Sequence, residues 1–187
     1  MNWSADGWWL HARWVESPNF GPRPAGTGVS LVVIHNISLP PGEYGGPHVE
    51  QFFTNRLDPA EHPYFATIAG VEVSAHFFIR RDGEVIQFVS VDDRAWHAGQ
   101  SAWRGRENCN DFSIGIELEG CDEEPYAFPQ YEKLNELLAA LARRFPIHAI
   151  AGHADVAPNR KTDPGPHFDW KKIHRDWPNW KLPAGKL

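Results

Sequence analysis

The 187-residue chain has two cysteines, one methionine and no long apolar run. Cys109 and Cys121 are too few for the disulfide framework that holds small secreted domains together, and two free thiols of a reducing compartment are expected. Aliphatic runs such as Leu31-Val32-Val33-Ile34 fall far short of the roughly 20 residues that span a bilayer. The opening segment, MNWSADGWWLHARW, has no basic stretch followed by an apolar one, so no secretory signal is read there. Positive charge is also scarce. Lys and Arg number 18 against 24 Asp and Glu, a formal charge of −6. Phosphate-binding surfaces are normally basic, so neither a nucleic-acid partner nor an anionic membrane surface is expected. The chain reads as a cytoplasmic monomer with a single domain over residues 1–187.

What is present is an ordinary globular balance, 42% hydrophobic and 22% charged, with 16 Gly and 16 Pro that imply long irregular loops. Residues 29–35 are β-branched and apolar between polar flanks and read as a buried strand. A Pro/Gly loop and a short helix around 48–55 follow. Residues 76–91 read as two strands joined at Asp82-Gly83, a pair suited to a tight turn. Residues 112–118 read as a further strand. Tyr131, Leu134, Leu137, Leu138, Leu141, Ala142 and Phe145 recur at spacings of three and four, which predicts a helix over 130–145 that Pro146 ends. A short strand over 147–151 and a helix over 169–176 complete the order. Strands mixed with helices predict a mixed α/β fold, a central mixed sheet flanked by helices. Residues 44–74, rich in turns, could close over a ligand as lids do.

Ten histidines make chance clustering easy, so setting decides. His35 stands at the end of the first buried strand, and His153 follows Gly152 at the end of another. Asp163 lies ten residues on, within Thr162-Asp163-Pro164-Gly165-Pro166. Two imidazoles and one carboxylate suit a catalytic zinc ion, which takes three protein ligands and leaves a fourth place for water. The same residues taken singly read as a capped core histidine or a well-made turn. Hydrolysis at such a zinc ion would also need a base. Glu117 and Glu119 share strand parity, and the pattern alone does not choose between them. Lys161, two residues before Asp163, reads by itself as a solvated loop lysine.

Five motifs occur in order: His35-Asn36-Ile37-Ser38-Leu39-Pro40-Pro41-Gly42-Glu43, Val73-Ser74-Ala75-His76, Ala95-Trp96-His97-Ala98-Gly99, Asn110-Asp111-Phe112-Ser113-Ile114-Gly115-Ile116-Glu117-Leu118-Glu119-Gly120, and Arg160-Lys161-Thr162-Asp163-Pro164-Gly165-Pro166. Together they resemble the zinc-dependent N-acetylmuramoyl-L-alanine amidases, relatives of the peptidoglycan recognition proteins. The resemblance runs from about Trp8 to Trp170. It implies an enzyme that cleaves the amide between the lactyl group of (1,6-anhydro-)N-acetylmuramic acid and L-alanine during cell-wall recycling. Removing such a muropeptide would also bear on β-lactamase induction. His35, His153 and Asp163 would hold zinc, Glu117 would activate water, and Lys161 would steady the oxyanion. Tyr64 matches a tyrosine that family members often carry near the metal.

Substrate contacts are expected from Trp96, one of nine tryptophans, and from His97, Asn36, Arg106 and Arg160. Asn108 departs from the family pattern, where arginine is common, so the grip on the stem-peptide carboxylates falls to Arg106 or another group. Two further readings compete with the cytoplasmic enzyme. A binding module with this fold would typically have lost a metal ligand, whereas all three are present; a periplasmic amidase would carry a signal.

Overall fold

In the computed structural model, which describes residues 2–186, the chain enters through two short strands, β1 (Arg13–Trp14) and β2 (Phe20–Gly21). Strand β3 (Leu31–Ile37) comes next, then the short helices α1 (His48–Phe53) and α2 (Pro63–Thr67). The pair β4 (Phe77–Ile79) and β5 (Val85–Gln87) precedes three two-residue strands, β6 (Arg94–Ala95), β7 (Ala102–Trp103) and β8 (Arg106–Glu107). A 3-10 turn, Cys109–Asp111, leads into β9 (Ser113–Glu119). The chain continues through α3 (Phe128–Arg144), β10 (Ala149–Gly152), α4 (His153–Val156) and α5 (Trp170–Asp176).

Six strands form one sheet in the order β1-β5-β4-β9-β3-β10. Neighbours from β4 through β9 and β3 to β10 run parallel, while β5 is antiparallel to β4. This is the mixed sheet that the strand and helix pattern predicts. Its middle strands are buried, and β3 accordingly opens on the apolar run Leu31-Val32-Val33-Ile34, whereas β9 alternates apolar residues with Ser113, Gly115, Glu117 and Glu119. On one face Val32, Ile34, Ile114, Ile116 and Leu118 pack with Leu134, Leu137, Leu138 and Leu141 of α3. Each such buried leucine contributes roughly 1.5–3 kcal/mol relative to exposure. Leu31 and Val33 point the other way, into a smaller cluster with Cys109, Phe112 and Val156.

Helix α3 starts at Phe128, three residues before Tyr131, the first residue of the apolar periodicity. Pro129 occupies its first turn, where a missing N–H costs nothing. Gln130 Oε1 accepts from the Ala127 N–H (2.9 Å), and its Nε2 donates to the carbonyls of Ile79 (3.1 Å) and Glu119 (3.0 Å). One buried amide thus joins the helix start to β4 and β9. Residues 44–74 are more ordered than their turn-rich sequence suggests. They carry α1 and α2, whose Val49, Phe53 and Phe65 pack on Phe78, Ile86 and Phe88 of the sheet region. No helix among the described residues is long and apolar enough to cross a membrane.

Candidate active site

Strand register assembles the site. Leu31 pairs with Ser113 and His35 with Glu117, while Ile34 pairs with Gly152. Adjacent strands in register point side chains of paired residues the same way. Ile34 and Ile116 face α3, so His35 and Glu117 emerge on the opposite face. Strand β10 ends level with Ile34, and the next residue, His153, comes level with His35.

Three donor atoms converge there. His35 Nδ1 lies 3.0 Å from His153 Nδ1, and each is 3.1 Å from Asp163 Oδ2. Gly152 lets the returning loop approach this closely, since a Cβ there would meet Pro164 Cδ at 2.6 Å. The remaining ring nitrogen of His153, Nε2, faces the Ala98 carbonyl at 3.1 Å. A carbonyl only accepts, so Nε2 carries the proton and Nδ1 turns a lone pair toward Asp163. Burial, and next His153, lower the pKa of His35 to about 4, so its imidazole is neutral at pH 7. Two imidazole nitrogens and a carboxylate oxygen are a donor set that a divalent cation satisfies. The set matches the three-ligand catalytic zinc pattern.

Glu117 is 8% exposed, and its Oε2 is buried without a hydrogen-bond partner. Burial pushes its carboxyl well above the usual range, Asp163 adds to that, and the Lys161 charge opposes it. Glu119 is different. Its Oε1 accepts from the Gly45 N–H (2.7 Å) and its Oε2 from the Arg81 N–H (2.9 Å), with the Arg80 guanidinium 3.5 Å away. Both carboxylates leave the same face of β9, but only Glu117 keeps an oxygen free.

A cleft of about 650 Å³ opens over the cluster. Asn36, Tyr64, Trp96, Arg160 and Lys161 all line it, together with an apolar group that includes Phe52, Ile68 and Val71. Asn36 Nδ2 donates to Asp122 Oδ1 (2.8 Å). The backbone of Trp96 is fixed through Ser74, whose Oγ accepts from the Trp96 N–H (3.0 Å) and whose N–H donates to the Trp96 carbonyl (3.1 Å). Arg160 donates to the carbonyls of Ala98 (2.6 Å) and Gln100 (2.7 Å). The Lys161 ammonium forms no ion pair among the described residues, although its charge is felt at both Glu117 and His35.

Of the expected substrate contacts, His97 lines the cleft and Arg106 does not. His97 is buried, and both its ring nitrogens are engaged by the protein: Nδ1 with His35 Nε2 (2.9 Å) and Nε2 with Ser113 Oγ (3.2 Å). Arg106 lies outside the cleft, its guanidinium 3.8 Å from the centroid of the Phe112 ring. Asn108, in left-handed backbone at φ 57°, is also outside it. Cleft residues that the sequence reading passed over are Cys121, Asp122 and Glu123, which follow directly on β9 and Gly120. Their place just past the strand that carries Glu117 is the signal that could have found them. Both cysteines are free thiols.

A His-His-Asp donor set beside an unpaired buried carboxylate, all at one end of a mixed sheet, is compatible with the metal site of a hydrolase. The N-acetylmuramoyl-L-alanine amidase family matches residues 25–166. The 1,6-anhydro-N-acetylmuramyl-L-alanine amidase AmpD of Enterobacter cloacae is 56% identical over 171 residues, 90% of this chain and 91% of that protein. The crystal structure of a selenomethionine AmpD derivative superposes with a TM-score of 0.91 at 53% identity, covering 94% of this chain and 99% of that one. The E. coli amidase AmiD, solved with anhydro-N-acetylmuramic acid-L-Ala-D-γ-Glu-L-Lys, gives a TM-score of 0.61 at 28% identity, covering 87% and 62%. The chain belongs to the N-acetylmuramoyl-L-alanine amidase family and is an amidase. The resemblance carried by the five motifs is borne out.

Proposed function

We propose that the chain is a zinc-dependent amidase acting on soluble fragments of cell-wall turnover in the cytoplasm. It hydrolyses the amide between the lactyl group of 1,6-anhydro-N-acetylmuramic acid and the L-alanine of the stem peptide. The observation that carries this reading is the free Oε2 of Glu117, one strand away from His35 at the same register. Similarity to AmpD along about nine-tenths of both chains supports the anhydro sugar, as does the AmiD complex with an anhydro-muropeptide. The two unpaired cysteines favour a reducing compartment. Any β-lactamase induction signal borne by that muropeptide would fall as the enzyme removes it.

His35, His153 and Asp163 would hold zinc, which would supply Lewis acidity toward the scissile carbonyl and water. The chain's own groups do the rest. Glu117, desolvated and without a competing partner, takes a proton from water as the oxygen adds to the lactyl carbonyl carbon. It holds that proton beside the site and delivers it to the alanine nitrogen as the C–N bond breaks. Its raised pKa suits the second half of the task, since burial makes the carboxyl hold a proton more tightly than a free glutamate until the nitrogen departs. Lys161 offers its unpaired ammonium to the developing oxyanion. Trp96 and Tyr64 offer aromatic surface to the sugar, and Asn36 a polar group to the peptide. Arg160 and Lys161 are the cations in the cleft available to stem-peptide carboxylates.

Purified protein should release peptide from anhydro-muramyl tripeptide, lose that activity on chelation and regain it with zinc. Intact substrate in the presence of zinc-loaded protein would overturn the reading.

A further inference from the structure

His97 and Ala98 are consecutive residues, and each meets one imidazole of the metal cluster from behind. His97 Nδ1 lies 2.9 Å from His35 Nε2, and the Ala98 carbonyl lies 3.1 Å from His153 Nε2. Protons on this network can be assigned by following it outward. Ser113 has one hydroxyl hydrogen, which it donates to the Cys109 carbonyl at 2.6 Å. Toward His97 Nε2 the Ser113 oxygen therefore accepts, and Nε2 carries the proton. His97 Nδ1 is then a lone pair that accepts from His35 Nε2–H. His35 Nδ1 is left unprotonated, facing His153 and Asp163. The Ala98 carbonyl imposes the same tautomer on His153.

The segment that does this is itself fixed. Asn110 Oδ1 accepts from the backbone N–H of both His97 (3.2 Å) and Ala98 (2.8 Å). Gly115 supplies the space for the His97 ring, because a Cβ at that position would overlap the imidazole. Asn110, Ser113 and Gly115 thus offer a side-chain amide, a hydroxyl and a bare backbone to one dipeptide, and the Cys109 carbonyl fixes the hydroxyl.

We infer that His97-Ala98, clamped by Asn110 and oriented by Ser113, is the outer support that sets the tautomer of both imidazole ligands, with His97 a positioning residue for the metal site. This rests on the zinc reading above and extends it to the residues behind the imidazole ligands. Outer partners of ligating histidines typically change metal affinity by 10–100-fold when removed. Asn and Phe at position 97 separate the roles of acceptor and filler. An Asn amide oxygen can take the place of Nδ1, whereas Phe fills the space and accepts nothing.

The test has two arms. Long-range 1H–15N correlation spectra of the imidazoles, recorded on wild-type protein with and without zinc, should show His35, His153 and His97 all protonated at Nε2. Zinc affinity by chelator competition should fall about 10–100-fold in His97→Phe and stay within about threefold of wild type in His97→Asn. Asn110→Ala should weaken zinc and Asn110→Asp, which keeps the acceptor, should weaken it less. A His35 ring protonated at Nδ1, a His97→Phe protein that binds zinc as tightly as wild type, or equal losses in both His97 variants would overturn the inference. Wild-type protein that binds no zinc would instead overturn the metal reading, while its tautomers would still decide the hydrogen-bond assignment. The spectra need no variant, so misfolding of a variant leaves that arm intact.

Discussion

His35 on β3 and Glu117 on β9 are register partners in a parallel ladder, so the first imidazole of the donor cluster and the unpaired carboxylate leave the sheet side by side on one face. The pairing is fixed far from the chemistry, by Leu31 against Ser113 and by the apolar rows that alternate with the functional residues. A one-residue slip of β9 would turn Glu117 into the α3 core and Ile116 or Leu118 into the cleft. The cost of burying that carboxylate guards the register as much as packing does. The following expectations rest on this arrangement.

Metal should contribute to stability as well as chemistry, because the three donors meet only in the folded chain. At a free zinc concentration 1,000 times Kd, binding adds about 4 kcal/mol. Chelation is expected to lower the melting temperature by on the order of 10 °C in a domain of this size. Differential scanning calorimetry with and without chelator measures it, and equal melting temperatures would contradict a site built on His35, His153 and Asp163.

Gly115→Ala should fold but bind zinc less tightly, because the new methyl group meets the His97 ring rather than solvent. Its backbone is ordinary strand, so no conformational strain accompanies the change. Chelator competition on this variant reads the effect; unchanged zinc affinity would show that the ring can move without consequence.

Glu50 on α1 links that cleft wall to the sheet edge through Arg13 and Arg80. The Arg13 hydrogen bond holds its carboxyl below the usual range, against an opposing effect of burial and with further help from Arg80. A depressed folded-state pKa stabilises the fold above the unfolded value, and that contribution is lost as pH falls through the folded one. Glu50→Gln should therefore melt below wild type at pH 7, and the gap should close as pH drops below about 4. Denaturation curves over pH 3–8 provide the check, and a gap that widens on acidification would contradict the sign.

Gln130→Ala should cost about 1–3 kcal/mol, since it leaves the buried carbonyls of Ile79 and Glu119 without their donor. Urea denaturation measures this. A loss within a few tenths of a kcal/mol would mean that water replaces the amide.

Much of this site was legible in the sequence because its two histidines end apolar strands and its aspartate sits in a proline-held turn. The choice between Glu117 and Glu119 was not, and the reason is physical. Parity gives both the same face, and what separates them is the Gly45 and Arg81 N–H groups, which come from elsewhere in the chain and engage only Glu119. The settings of His97 and Arg106 were hidden for a related reason. Membership of a motif, or nearness to one, does not tell which way a ring or guanidinium turns, and here they turn to His35 and Phe112. Helix α2 and strands β6 to β8 span five residues or fewer, too short to show a period. The early start of α3 was hidden because exposed Phe128 and Pro129 read as loop.

The central claim is that Glu117 handles the proton at a zinc site it does not help to build. Its most direct test is cleavage of anhydro-muramyl tripeptide by wild type and Glu117→Ala, with zinc content determined in both. We expect about one zinc per chain in each protein, and a loss of at least about 100-fold in kcat for the variant. A zinc-loaded Glu117→Ala that cleaves at the wild-type rate would contradict the account.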